Sequence, residues 1–117
     1  MLINMRQWRI LNMKIIETSI FTKRVNQLLT FEEYRELQNE LIIDPEKGKV
    51  ITGSGGLRKL RWSYSGKGKR GGVRIIYYLI KKSEIIMMLL IYPKNEQDDL
   101  TKEQLKMLKA IVEREIK

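Results

Sequence analysis

The segment Ile85–Tyr92, IIMMLLIY, is apolar at every position. Folded as a strand it has no face to offer to water, so it belongs in the middle of a sheet, buried. Neither it nor any other apolar run approaches the length needed to span a bilayer. Two further strands lead into it. Val73–Ile80, VRIIYYLI, is β-branched and aromatic. Leu57–Trp62 alternates, with Leu57, Lys59 and Arg61 facing one way and Arg58, Leu60 and Trp62 the other. The links between the three, residues 63–72 and 81–84, are short, which favours an antiparallel meander.

Helices flank these strands. Met13–Thr18 reads as a short strand and Phe21–Leu29 as a short helix. Thr30-Phe31-Glu32-Glu33 is a capping box, with Leu29 and Tyr34 at the staple positions. Tyr34, Leu37, Leu41 and Ile42 carry the helical period until Asp44-Pro45 ends it. Pro45 to Gly56 is expected as a glycine-rich loop. Thr101-Lys102-Glu103-Gln104 is a second capping box and opens a last helix, with Leu105, Leu108, Ile111 and Val112 as its buried stripe. The expected order is β-α-α-β-β-β-α, an α+β domain with a mainly antiparallel twisted sheet and helices packed on one side. With 117 residues the chain suits one domain. Residues 13–117 are assigned to it and residues 1–12 to an N-terminal extension. That extension carries Arg6 and Arg9 and has no secretory h-region.

The chain has no cysteine and no histidine. Disulfides, thiol nucleophiles and thiolate metal sites are thereby excluded, as is the usual neutral-pH proton shuttle. Neither a metal nor a cofactor is expected. The net charge is +9, and its placement is uneven. From Lys47 to Lys82 there are eleven basic residues and no acid. Outside that window twelve basic residues face fourteen acidic ones, so the whole positive excess sits in the middle third. A block this free of acid is expected to be an anion-binding face for a nucleic-acid backbone.

Gly66 to Gly71 within this block fits G-x-G-x-x-G. A dinucleotide loop needs a helix after it to receive the pyrophosphate, and here a strand follows. No G-K-[ST] is present either, so the P-loop reading fails. What remains is a glycine-rich hairpin loop, or a basic finger that follows a phosphate backbone through Lys67, Lys69 and Arg70. In a meander, this loop, Arg74 and the 92–96 segment gather at one end of the sheet, and Lys59 and Arg61 join from the adjoining strand. Arg74 shares its strand face with Ile76 and Tyr78 and is expected to point toward other cations. Such crowding costs free energy unless an anion arrives. Tyr92 reads equally as a strand-end aromatic over the core and as a base-stacking or catalytic group, and Glu96 as a partner for Lys94. Trp62, sharing a face with Leu60, reads as core.

The run GGLRKLRWSYSGKGKRGGVRIIYYL, followed by IYPKNEQDDLT, closely resembles the HigB branch of the RelE/ParE toxin superfamily, from Met13 to the C-terminus. The resemblance implies a microbial-RNase-like α+β fold and a cytoplasmic toxin of a type II toxin–antitoxin pair. Its implied action is metal-free, ribosome-dependent cleavage of mRNA in the A site. The implied partners are an antitoxin, HigA-like with a helix-turn-helix domain, and the ribosome with its mRNA; no membrane partner is implied. Carried over residue by residue, Arg74 is a candidate for holding the scissile phosphate, Arg61 and Lys59 match basic positions on the preceding strand, and Lys94 matches a lysine after the last strand. Several RelE toxins have an arginine next and a catalytic tyrosine in the final segment, where this chain has Asn95 and Leu100-Thr101. The histidines of other HigB toxins are absent. The catalytic candidates are therefore Arg61, Arg74, Lys94 and Tyr92, and the RNA- or ribosome-binding candidates are Lys59, Lys67, Lys69, Arg70, Arg58 and Glu96. Proton transfer falls to Lys94, Lys67 or Lys69, with Tyr92 and Glu96 as further candidates. The alternatives are a ParE-like gyrase inhibitor without nuclease activity and a plain RNA- or ribosome-binding module, since one fold serves several functions.

Overall fold

The structure is a computed structural model that describes residues 3–10, 13–63 and 72–115, the first of these segments by its main chain. Nine elements follow one another: β1 (Ile3–Ile10), β2 (Met13–Thr18), α1 (Ser19–Leu28), α2 (Phe31–Ile43), β3 (Lys49–Val50), β4 (Arg58–Trp62), β5 (Val73–Ile80), β6 (Ile85–Pro93) and α3 (Lys102–Glu115). The strands form one sheet in the order β1-β2-β6-β5-β4-β3. The expected meander β4-β5-β6 is present, and β6 lies inside the sheet, parallel to β2 and antiparallel to β5. Two strands were not anticipated. Residues assigned to an N-terminal extension form β1, antiparallel to β2 at one edge. The expected 45–56 loop contains β3, a two-residue strand on the other edge.

The helices do not all pack on one side of the sheet, as the sequence reading had them. Alternate residues of β5 feed two different cores. Val73, Ile75 and Tyr77 join Leu60, Trp62, Phe21, Val25, Leu37 and Leu41 under α1 and α2. Ile76 joins Leu57, Leu90, Tyr92, Leu108, Ile111 and Val112 under α3. The reason is β6 itself. A strand apolar on both faces requires apolar cover on both, and one helical layer supplies only one.

Both capping boxes form as read. The Thr30 hydroxyl accepts from Glu33 N at 3.1 Å and the Glu33 carboxylate accepts from Thr30 N at 2.8 Å. Thr101 and Gln104 exchange the equivalent pair, each at 3.0 Å. Thr18 caps α1, its hydroxyl accepting from Phe21 N at 3.1 Å and donating to Leu89 O at 2.9 Å. Leu89 is the extra residue of a β-bulge, since the β5–β6 register passes from Ile76↔Leu90 to Tyr77↔Met88. Leu89 and Leu90 consequently both face the α3 core. The bulge also sets which face of β6 carries Tyr92.

Tyr77, fully buried, ties the 45–48 turn to the sheet. Its hydroxyl donates to Pro45 O at 2.7 Å and accepts from Gly48 N at 2.8 Å. Gly72 stands where the chain enters β5, with φ +70°, and a Cβ there would lie 2.0 Å from Trp62 O. Positive φ costs a residue with a side chain roughly 1–3 kcal/mol, and here the main chain of β4 would also have to move. Gly72→Ala is therefore expected to destabilise the protein by about 3 kcal/mol, read as a lower urea midpoint at unchanged m-value.

Candidate functional site

The β4-β5-β6 register sets three candidate side chains in a row. Arg61 lies directly opposite Arg74, and Arg74 directly opposite Tyr92. Directly opposed residues have Cα atoms about 4.5–5.5 Å apart. Lys59, two residues before Arg61, is on the same face. This face is the one that α3 covers further along, at Ile76 and Leu90. At the end where β5 begins the row emerges: Arg61 is exposed, while Arg74 and Tyr92 are buried.

The expectation of cations left to repel one another is not met, because the turn after β6 brings in two carboxylates. Arg74 Nη2 contacts Asp98 Oδ1 at 3.3 Å, and Lys59 Nζ contacts Asp99 Oδ1 at 2.5 Å. The Asp98 carbonyl accepts from Tyr92 Oη at 3.1 Å and from Lys59 Nζ at 3.3 Å. The turn is also clasped to α3, with Gln97 Nε2 donating to Asp99 O at 2.9 Å and to Gln104 Oε1 at 2.8 Å. Lys59 holds the Asp99 carboxyl below its usual range, with Arg61 and Arg74 adding to the effect. Burial and then the Asp99 charge push the Tyr92 phenol up to about 12, so it stays protonated at neutral pH. Lys59 and Arg74 thus meet their counter-charges only in three dimensions.

The other candidates are placed as follows. Lys94 is exposed just past β6, where its main-chain N–H donates to Gly72 O at 3.2 Å, so it stands at the same end of the sheet. Glu96 pairs with Arg24 of α1 at 3.2 Å and not with Lys94. Arg58 lies on the opposite face of β4 from Lys59 and Arg61. Its guanidinium donates to Gly48 O at 2.7 Å and to Glu46 O at 3.1 Å, which anchors the 46–48 turn. Lys67, Lys69 and Arg70 lie outside the described residues. Trp62 is core, as read. Among the described residues no cluster of carboxylates is arranged to hold a metal ion, and no helix is long and apolar enough to cross a membrane.

Sequence reasoning missed Asp98 and Asp99. Both stand inside the quoted run NEQDDLT, three and two residues before the Thr101 cap, where acids are commonplace and carry no signal of their own. It also missed Glu17, a fully buried carboxylate on β2 that accepts from Thr22 Oγ1 at 2.6 Å and from Tyr34 Oη at 2.5 Å. This network lies on the α1/α2 side, away from the cation row, and joins β2 to both helices.

Residues 13–116 match the family model described as "RelE toxin of RelE / RelB toxin-antitoxin system". The chain belongs to the RelE toxin family. It is the toxin of a toxin–antitoxin pair, and a cognate antitoxin is its partner. The matched region includes the three strands that build the cation row, β4, β5 and β6, and leaves out β1.

A raised tyrosine pKa has a definite sign in stability. The folded state holds the Tyr92 proton more tightly than the unfolded chain, so the contribution is complete below pH 10 and fades as pH rises toward 12. Tyr92→Phe is expected to cost about 1 kcal/mol at neutral pH through the lost hydrogen bond to Asp98 O. Urea denaturation at pH 9 to 12 should show the gap between wild type and variant closing with pH. The alkaline decline should persist in part, because burial also raises the Tyr77 phenol.

Proposed function

We propose that this RelE-family toxin is of the HigB type and is a ribosome-dependent endoribonuclease that cuts mRNA in the A site and so stops translation. The observation that carries the reading is the row Arg61–Arg74–Tyr92, flanked by Lys59, at the open end of the sheet. Metal-free RNA cleavage turns the 2′-hydroxyl on the adjacent phosphate. The 2′-oxygen bonds to phosphorus and loses its proton, the P–O5′ bond breaks, and the 5′-oxygen gains a proton. The products are a 2′,3′-cyclic phosphate and a 5′-hydroxyl.

Each step asks for something this row can supply. Charge gathers on the non-bridging oxygens in the transition state, and two guanidiniums one strand apart can bind them through paired N–H donors. Arg74 is fixed by burial, and Arg61 reaches from the exposed rim. Lys59 adds a third cation toward a neighbouring phosphate. We assign Tyr92, held as a phenol, and Lys94 as proton donors to the leaving 5′-oxygen, and the Glu96 carboxylate at the same turn as acceptor of the 2′-hydroxyl proton. Lys67, Lys69 and Arg70 are assigned to the RNA backbone by their charge alone, and Arg58 supports the sheet edge. The ribosome would supply substrate geometry, so stand-alone cleavage is expected to be slow. The antitoxin, HigA-like with a helix-turn-helix domain in this reading, holds the toxin inactive in the cytoplasm.

Induced expression without antitoxin is expected to arrest growth and leave A-site cuts in mRNA. Arg61→Ala, at an exposed position that does not threaten the fold, should slow cleavage on programmed ribosomes roughly 10²-fold, as loss of one transition-state donor does. Arg74→Lys keeps the charge and loses the paired donors, and should fall by a similar factor. Undiminished toxicity in both variants, or DNA damage with intact mRNA, would replace the nuclease by a ParE-like mode of action.

A further inference from the structure

The two ion pairs at the cation row are lopsided in exposure. The Arg74 side chain is 6% exposed and its partner Asp98 is 61% exposed. The Lys59 side chain is 12% exposed and Asp99 is 80% exposed. The cations are fixed in the sheet, and the anions lie on the solvent side of them. The main chain between these anions is held independently of the pairs, by Tyr92 Oη on Asp98 O and by the Gln97–Gln104 clasp on Asp99 O. Each carboxylate can therefore leave its cation by side-chain rotation into water while the turn stays docked.

We propose that Asp98 and Asp99 are internal stand-ins for two phosphodiester groups of single-stranded RNA, one seated on Arg74 and one on Lys59, and that substrate binds by displacing them. The proposal rests on the nuclease reading of this site and adds to it two separate phosphate seats and a built-in competitor at each. A carboxylate and a phosphodiester both present singly charged oxygens to the same donors, so occupancy by one excludes the other. Lys59 and Arg74 sit on adjacent strands and are offset by two residues along them, since Lys59 opposes Ile76 and Arg61 opposes Arg74. An offset of that kind is about 7–8 Å between diagonal neighbours, a span that adjacent phosphates of one extended strand can cover.

The test measures binding without cleavage. The probe is a trinucleotide with 2′-deoxy sugars, which carries two phosphodiesters and has no internal nucleophile, titrated by calorimetry or by amide shifts. Asp98→Asn and Asp99→Asn preserve shape and each should tighten binding roughly two- to fivefold, which is the strength of a partly exposed pair. Glu36→Gln on α2 makes the same change in net charge at an exposed site away from the row and should leave affinity unchanged. In a Lys59→Ala background the gain from Asp99→Asn should vanish, whereas a general field effect would survive. No gain in either Asn variant, a loss of affinity, or an equal gain in Glu36→Gln overturns the proposal. Cleavage assays on programmed ribosomes separate the two ideas. Gained affinity with intact mRNA keeps the seats and removes the nuclease, and cut mRNA with unchanged affinity does the reverse.

Discussion

Strand β6 has no side that tolerates water, and that constraint organises the molecule. It requires a helical layer on each face, and α1 with α2 and α3 supply them. The strands beside it fix the register, because slipping β4 by one residue would exchange its Lys59–Arg61 face for its Leu60–Trp62 face. Arg74 stands between Arg61 and Tyr92 because Ile75 and Ile76 are committed to opposite cores on the same strand. The position of the candidate side chains is thus a by-product of apolar packing a few residues away. The bulge at Leu89 completes this. Without it Tyr92 would change faces relative to Met87, and the Thr18 hydroxyl that meets the Leu89 carbonyl would lose its acceptor.

Burying an arginine beside other cations has to be offset, and the offset here is local. An unpaired buried charge costs several kcal/mol, and removing one partner of a buried pair is far more damaging than never having had the pair. Asp98 meets Arg74 at the edge of burial, where water still reaches the carboxylate. That geometry gives the protein a stable resting state with its basic row intact. It also relieves repulsion at the row itself, through a turn that follows the block, while Glu40 and Glu46, just before the block, pair with Lys47, Arg58 and Lys81.

Much of this was legible. The alternation of Leu57–Trp62 named the faces of β4 correctly, both capping boxes located their helix starts, and the apolar run marked the interior strand. The ends of the meander were expected to converge, and Arg61, Arg74 and Tyr92 do lie side by side. What was not legible has physical reasons. A bulge adds one residue to one strand and leaves no mark in an apolar run. β3 is two residues long and exposed, so no periodicity can show it. The division of helices between faces follows from β6 being apolar on both, and the seven-element order alone does not contain it. The pairing of Asp98 and Asp99 with the basic row depends on how the 93–101 turn folds back over the sheet, which no local pattern encodes.

A site that is compensated at rest binds by exchange and not by uptake. On the proposed reading, each phosphodiester that enters replaces one carboxylate of equal charge on the same donors, so the net electrostatic gain per seat is small. Ground-state affinity is held down accordingly, and what remains has to come from several contacts made together, as a ribosome-held mRNA can provide. The phosphorane-like transition state carries more charge on its non-bridging oxygens than the diester does. It therefore competes better than the diester against the same internal anion. A competitor that weakens substrate and transition state by the same exchange cost, while the transition state alone gains the extra charge interaction, leaves the barrier-lowering difference untouched and suppresses idle binding to RNA that is not presented for cleavage. A basic face without its carboxylates would have no such discrimination, and would adhere to any polyanion at low salt.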